Sequence, residues 1–152
     1  MLEAARLGEA DRGRSAPNPN VGCVIVKDGE IAGRGATAPG GRPHAEAVAL
    51  KQAGKNAKGA TLYTTLEPCA HASERGPTCA AIIPAAGIAR VVIGIKDPDP
   101  RTAGQGIKML KKAGIEVTAG VAKEMARDSM SGYLSRIERG RPRITLKLAL
   151  SI

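Results

Sequence analysis

The chain has 152 residues, with 23 Lys and Arg against 14 Asp and Glu and a formal charge of +9; this length makes one domain with room for a core, and the charge points to an anionic partner. Two Tyr, no Trp and no Phe, with the basic residues scattered rather than striped, argue against a surface that stacks nucleic-acid bases, so a phosphorylated small molecule is expected and no nucleic acid. An odd cysteine count, an acidic N-terminus unlike a signal peptide, and no run near the roughly 20 apolar residues of a membrane span exclude secreted and membrane-spanning classes and predict a cytoplasmic protein.

Residues 2–12 are good helix formers, and Gly13 ends them. A Pro- and Asn-rich loop over 15–20 leads into Val21–Val26, a strand buried on both faces. Asp28-Gly29 is a hairpin turn signal with its returning strand over 30–36. A loop over 37–43 precedes a helix opened by His44 and running to about Ala53, with Gly54 past its end. Strand 61–66, a long loop 67–78, helix 79–86 with Gly87 placed to cap it, and buried strand 90–95 follow. Asp97-Pro98-Asp99-Pro100 reads as a turn. A helix over 103–113, a strand over 115–118 and one long helix over 121–139 complete the pattern. Strands alternating with helices predict an α/β fold, a three-layer α-β-α sandwich on a mixed central sheet. The tail, 142–152, begins with alternating apolar and polar residues and is a further strand candidate.

The chemistry concentrates between Pro43 and Cys79. His44, Cys69 and Cys79 are three residues of the types that hold zinc, and three protein ligands leave a fourth position open, as in catalytic sites. A structural site would need a fourth ligand. His71 is the sole candidate, and it sits two residues from Cys69. Cys69 follows a strand, while His44 and Cys79 each open a helix, whose positive ends favour thiolate and hydroxide. Glu46, two residues past His44, is free to move protons. Taken alone it would read as an exposed acid in a helix's first turn; the spacing from His44 changes that reading. His-x-Glu followed by Pro-Cys and a second Cys is the pattern of zinc-dependent base deaminases. Zn2+ would activate a water that attacks an amino-bearing ring carbon, with Glu46 as the general base that deprotonates that water and the general acid that hands protons to the ring nitrogen and the departing ammonia. Cys23, inside an apolar run, reads as a small buried hydrophobe. No dinucleotide or phosphate-loop fingerprint is present.

Beyond this pattern, the sequence resembles the deaminase domain of the bifunctional pyrimidine deaminase/reductase of riboflavin biosynthesis, a cytidine-deaminase-like family. The resemblance runs from about Ala16 to Ser151. It is carried by the stretches Pro17–Val26, Pro43–Ala47, Leu66–His71, Ala86-Gly87-Ile88, Asp97–Pro100, Ala103–Gly106 and Gly140-Arg141-Pro142. It implies deamination of 2,5-diamino-6-(5-phosphoribosylamino)pyrimidin-4(3H)-one to the uracil derivative. It also implies that Asn18 hydrogen-bonds the ligand beside the metal, His71 contacts substrate nearby, and Asp97 lines the ribosyl-phosphate side. Asn18 and Asp97 could equally be turn formers, and His71 a solvated loop residue.

The chain departs from the family pattern in several places. The loop between Cys69 and Cys79, nine residues, is one longer than the family's usual spacing, and Arg75 is its candidate phosphate contact. Asp99 stands where the family often has Asn. Tyr133-Leu134 and Arg143 replace common aromatics. Residues 1–141 would then form the deaminase domain, and 142–152 the leftover first strand of an absent reductase domain, to which Lys147 would belong. No reductase activity or nicotinamide binding is expected. The tail would be disordered, packed on the domain, or paired with another chain as a homo-oligomer. A nucleoside or tRNA deaminase of the same fold, or a non-catalytic zinc scaffold, are the rival readings.

Overall fold

The computed structural model describes residues 1–71 and 76–150. Helix α1 (Leu2–Ala10) leads to strands β1 (Gly22–Lys27) and β2 (Glu30–Ala36), helix α2 (Ala45–Ala53) and strand β3 (Thr61–Leu66). Helix α3 (Cys79–Ala85), strand β4 (Arg90–Ile95), helix α4 (Gln105–Lys112), strand β5 (Glu116–Ala119) and helices α5 (Lys123–Ser129) and α6 (Ser131–Arg139) follow. The strands form one five-stranded sheet in the order β2-β1-β3-β4-β5. It is mixed: β1 runs antiparallel to both β2 and β3, while β3, β4 and β5 are parallel. Helices α1 and α5 pack on one face; α2 covers β1 and β2 on the other and leads through α3 to α4. This is the expected three-layer sandwich.

The local code explains most of these elements. Asp28 and Gly29 both take positive φ, 50° and 83°, as a two-residue hairpin loop twisted to match its strands requires. In β1 and β4 consecutive residues are buried, because helices lie on both faces. The core holds no Phe or Trp and closes instead by bringing backbones together. Ala45, Ala49 and Ala53 present one small face of α2 to Gly33 and Gly35 of β2. A Cβ on Gly35 would lie 2.2 Å from the Ala45 carbonyl oxygen, so only glycine fits there. Cys23 is fully buried in this core.

Two expectations are corrected. The long helix over 121–139 is two helices broken at Met130. Residues 123–139 contain nothing but Gly132 to interrupt a helix, so the cause is tertiary. The carbonyl of Ser129 accepts from Asn20 Nδ2 at 2.7 Å, and that of Asp128 from Arg12 Nη2 at 2.8 Å. Met130 turns inward to full burial, where its sulfur lies 3.8 Å from Thr65 Oγ1. The tail over 141–150 forms no strand; Ile144, Leu146, Leu148 and Leu150 are exposed. It pairs with neither edge strand, β2 nor β5, and an unpaired strand is not stable by itself. The helices at 2–10 and 105–112 are also shorter than expected.

Candidate active site

The topology gathers the site at one end of the sheet. β3 and β4 are parallel, so Glu67-Pro68-Cys69 and Lys96-Asp97 leave on the same side. β1 runs against β3, which brings its entry segment, Pro17–Val21, to that side, and β2 delivers the chain back there toward His44. Strand ends of open α/β sheets are where ligands bind. A cleft of ≈ 450 Å³ opens at this place, lined by Asn18, His44, Glu46, Cys69, His71 and Asp97 among others.

His44 is the residue just before α2, and Cys79 is the first residue of α3. Both sulfurs approach His44 Nδ1, Cys69 at 3.5 Å and Cys79 at 3.3 Å. The Cys79 backbone N–H also points at Cys69 Sγ, 3.3 Å away. Bond lengths of 2.0–2.3 Å in a tetrahedron put nitrogen and sulfur ligands about 3.6 Å apart, so these atoms fit one ion with little movement. Among the described residues this is the one His/Cys/Asp/Glu group so clustered. The Cys69 thiol is pushed down to about 4, chiefly by hydrogen bonding from the Cys79 thiol and further by His44. Cys79 is pushed up by the same contact, then by burial and Glu46. These shifts favour a thiolate on Cys69, the form a metal needs.

Glu46 is 3% exposed, not the exposed first-turn acid its position alone suggests. Its Oε2 lies 3.4 Å from Cys79 Sγ. Burial raises its pKa above the usual carboxyl range, and the charge of His44 offsets part of that rise. A raised carboxyl pKa suits a group that must both take and give a proton.

Asn18, His71 and Asp97 all reach the cleft. Asn18 packs on Gly41, and its Nδ2 donates to the Gly40 carbonyl at 3.4 Å. His71 Nδ1 lies 3.3 Å from Thr102 Oγ1. Asp97 is 8% exposed, and burial raises its pKa; its Oδ1 accepts from Tyr133 OH at 3.3 Å. Arg75 lies outside the described residues.

Sequence reasoning did not single out Tyr133, Arg101, Arg136 or Glu67. Tyr133 and Arg136 lie on α6 and Arg101 on the segment after β4, two elements that only the fold brings together. Glu67 had a signal, as an acid directly before Pro-Cys. It is 2% exposed and accepts three backbone N–H groups: Asp97 and Gly104 at Oε2 (3.2 and 2.9 Å), Ile107 at Oε1 (3.1 Å). One carboxyl thereby ties the Cys69 segment to Asp97 and to the start of α4. Gly106 completes the join, since a Cβ there would fall 2.0 Å from the Pro68 carbonyl oxygen. In Glu67→Gln an NH2 group must face at least one of these donors. The expected cost is about 1–3 kcal/mol, read in thermal unfolding as a Tm fall of roughly 2–4 °C per kcal/mol. An unchanged Tm would show that the N–H groups find other acceptors.

A mixed sheet between two helical layers, with a His/Cys/Cys cluster and a buried carboxyl at its strand ends, defines the cytidine-deaminase-like class. The chain belongs to the cytidine and deoxycytidylate deaminase zinc-binding family, whose model matches residues 1–95. It is 50% identical over all 152 residues to the riboflavin biosynthesis protein RibD of Escherichia coli, and spans 41% of that protein's length. A RibD structure from Acinetobacter baumannii superposes with TM-score 0.82 at 46% identity, over 93% of this chain and 39% of that one. A diaminohydroxyphosphoribosylaminopyrimidine deaminase/5-amino-6-(5-phosphoribosylamino)uracil reductase from Thermotoga maritima gives 0.86 at 39% identity, over 93% and 42%. Among the described residues no helix is long and apolar enough to cross a membrane.

Proposed function

We propose that this chain catalyses hydrolytic deamination of 2,5-diamino-6-(5-phosphoribosylamino)pyrimidin-4(3H)-one to 5-amino-6-(5-phosphoribosylamino)uracil and ammonia, a step of riboflavin biosynthesis. The observation that carries it is the convergence of His44, Cys69 and Cys79 beside the buried Glu46 at the base of the cleft. The identity to RibD proteins supports the choice of substrate.

His44, Cys69 and Cys79 hold Zn2+ in this reading. When bound, zinc supplies Lewis acidity and brings the pKa of water toward neutrality. Glu46 takes a proton from the attacking water and gives it to the ring nitrogen; it then takes the proton of the newly added hydroxyl and passes it to the amine, which leaves as ammonia while the carbonyl forms. Its burial keeps bulk water from competing for those protons. Asn18 orients the pyrimidine beside the metal, His71 borders it on the Cys69 side, and Asp97 hydrogen-bonds the ribosyl part. Arg75 stays a proposed phosphate contact on the loop outside the described residues. Residues 1–141 are the deaminase domain, and 142–152 lie beyond it. The three cysteines, all free, suit a reducing, cytoplasmic setting.

Ammonia release from the ribotide, cytidine and adenosine tests this reading. Turnover of the ribotide alone is expected. Preference for cytidine or adenosine would make the chain a nucleoside-type deaminase, and zinc binding without any turnover would make it a scaffold.

A further inference from the structure

The mouth of the cleft carries a charged arrangement of which these roles use only Asp97. The chain leaves β4 through Asp97-Pro98-Asp99-Pro100-Arg101. Asp97 Oδ1 accepts the Asp99 N–H at 2.9 Å, and Asp99 Oδ1 accepts the Arg101 N–H at 3.0 Å. Two successive side-chain-capped turns therefore fix the segment. Both carboxyls are 8% exposed and line the cleft. Two acids there would repel a phosphorylated ligand.

Arg101 removes half of that repulsion. Its Nε lies 3.0 and 3.1 Å from the two Asp99 oxygens, and Nη2 lies 2.5 Å from Oδ2. This fork-on-carboxylate pairing holds the Asp99 pKa at about 2, so its charge is permanently matched. The Arg101 side chain is 69% exposed. Among the described residues its Nη1 edge makes no hydrogen bond. The other guanidiniums of the cleft are placed differently. Arg136 donates to the Pro17 carbonyl and lies 5.8 Å from the Tyr133 ring centroid. Arg42 stands two residues from His44, at the metal end.

We infer that Arg101 is a specificity-determining residue: held by Asp99, it presents its outward guanidinium edge to the substrate's phosphate, while the pyrimidine lies deeper, toward Glu46. This rests on the ribotide reading above. The Asp99–Arg101 pair then acts as a unit. Losing Arg101 alone would do double damage, removing a phosphate donor and leaving Asp99 unmatched.

The test compares wild type, Arg101→Leu, Arg101→Lys and the double variant Asp99→Asn/Arg101→Leu. Ammonia release is followed on the ribotide and on its dephosphorylated counterpart, and binding of the uracil ribotide product is measured by calorimetry. Arg101→Leu is expected to raise KM for the ribotide, and Kd for the product, about 10–100-fold. It leaves kcat, and the KM of the dephosphorylated compound, unchanged. Arg101→Lys recovers part of the loss, keeping the charge without the fork. The double variant binds the ribotide better than Arg101→Leu, because the unmatched acid is gone. Equal losses on phosphorylated and dephosphorylated compounds, or no change on either, overturn the assignment. Wild type that binds the ribotide without releasing ammonia overturns the proposed reaction, and calorimetry then still decides on Arg101. Wild type that does not bind the ribotide overturns both.

Discussion

Glu46→Gln is expected to keep its metal and lose about 10²–10⁴-fold in kcat, the usual worth of a positioned general acid–base. The substitution preserves size and one acceptor oxygen but cannot carry a proton. Because Glu46 sits 3% exposed against Cys79, solvent has no easy route to take over its role. The expected result is zinc content equal to wild type, substrate KM within the same range, and a collapse confined to kcat. Loss of less than about tenfold would place the proton transfer elsewhere. Loss of zinc along with turnover would instead make Glu46 a ligand, against the geometry in which His44 Nδ1 and the two sulfurs already surround one point.

Cys69→Ser and Cys79→Ser are expected to lower bound zinc sharply and abolish turnover. Stripping the metal from wild type with a chelator should do the same reversibly. A hydroxyl is a far weaker ligand than a thiolate at neutral pH, and each sulfur is one of the three donors clustered among the described residues. The structural penalty is also large. A tightly held ion stabilises the folded state by mass action, about 4 kcal/mol at a thousandfold excess over Kd, so chelation should lower Tm on the order of 10 °C. Full zinc retention in both serine variants would mean that the donor set is different. Retained Tm after chelation would mean that the cluster is already self-sufficient, with the Cys69 thiolate bonded by Cys79 and His44.

Most of the metal end could be read from residue order, because its geometry is set by local rules. His44 and Glu46 are fixed relative to each other by one helix start, and Cys69 and Cys79 by a strand exit and a second helix start. The rest of the cleft could be read only in part. That Asn18 and Asp97 reach it was legible through the short motifs around them. Tyr133 and Arg136 were not, because their positions depend on the break at Met130. Nothing in residues 123–131 announces that break; it arises from Asn20 and Arg12, over a hundred residues away, drawing on the carbonyls of Ser129 and Asp128. Arg101 was hidden for a different reason. Next to Asp99 it looks like an ordinary solvated turn, and only the cleft gives the pair a direction. The tail shows the limit of alternation as a signal: the pattern of a strand is present over 142–150, but no neighbouring edge receives it.

The amide of Asn20 spends one proton on the Gly8 carbonyl, at 2.8 Å, and the other on that of Ser129, at 2.7 Å. A single side chain thus rivets the opening helix to the point where the last two helices part. For protein engineering the consequence is reach. A fusion, tag or deletion placed in residues 1–12 pulls on the break that sets Tyr133 beside Asp97, and because α1 also packs on β1, β2 and β3 it disturbs the sheet that carries the rest of the cleft.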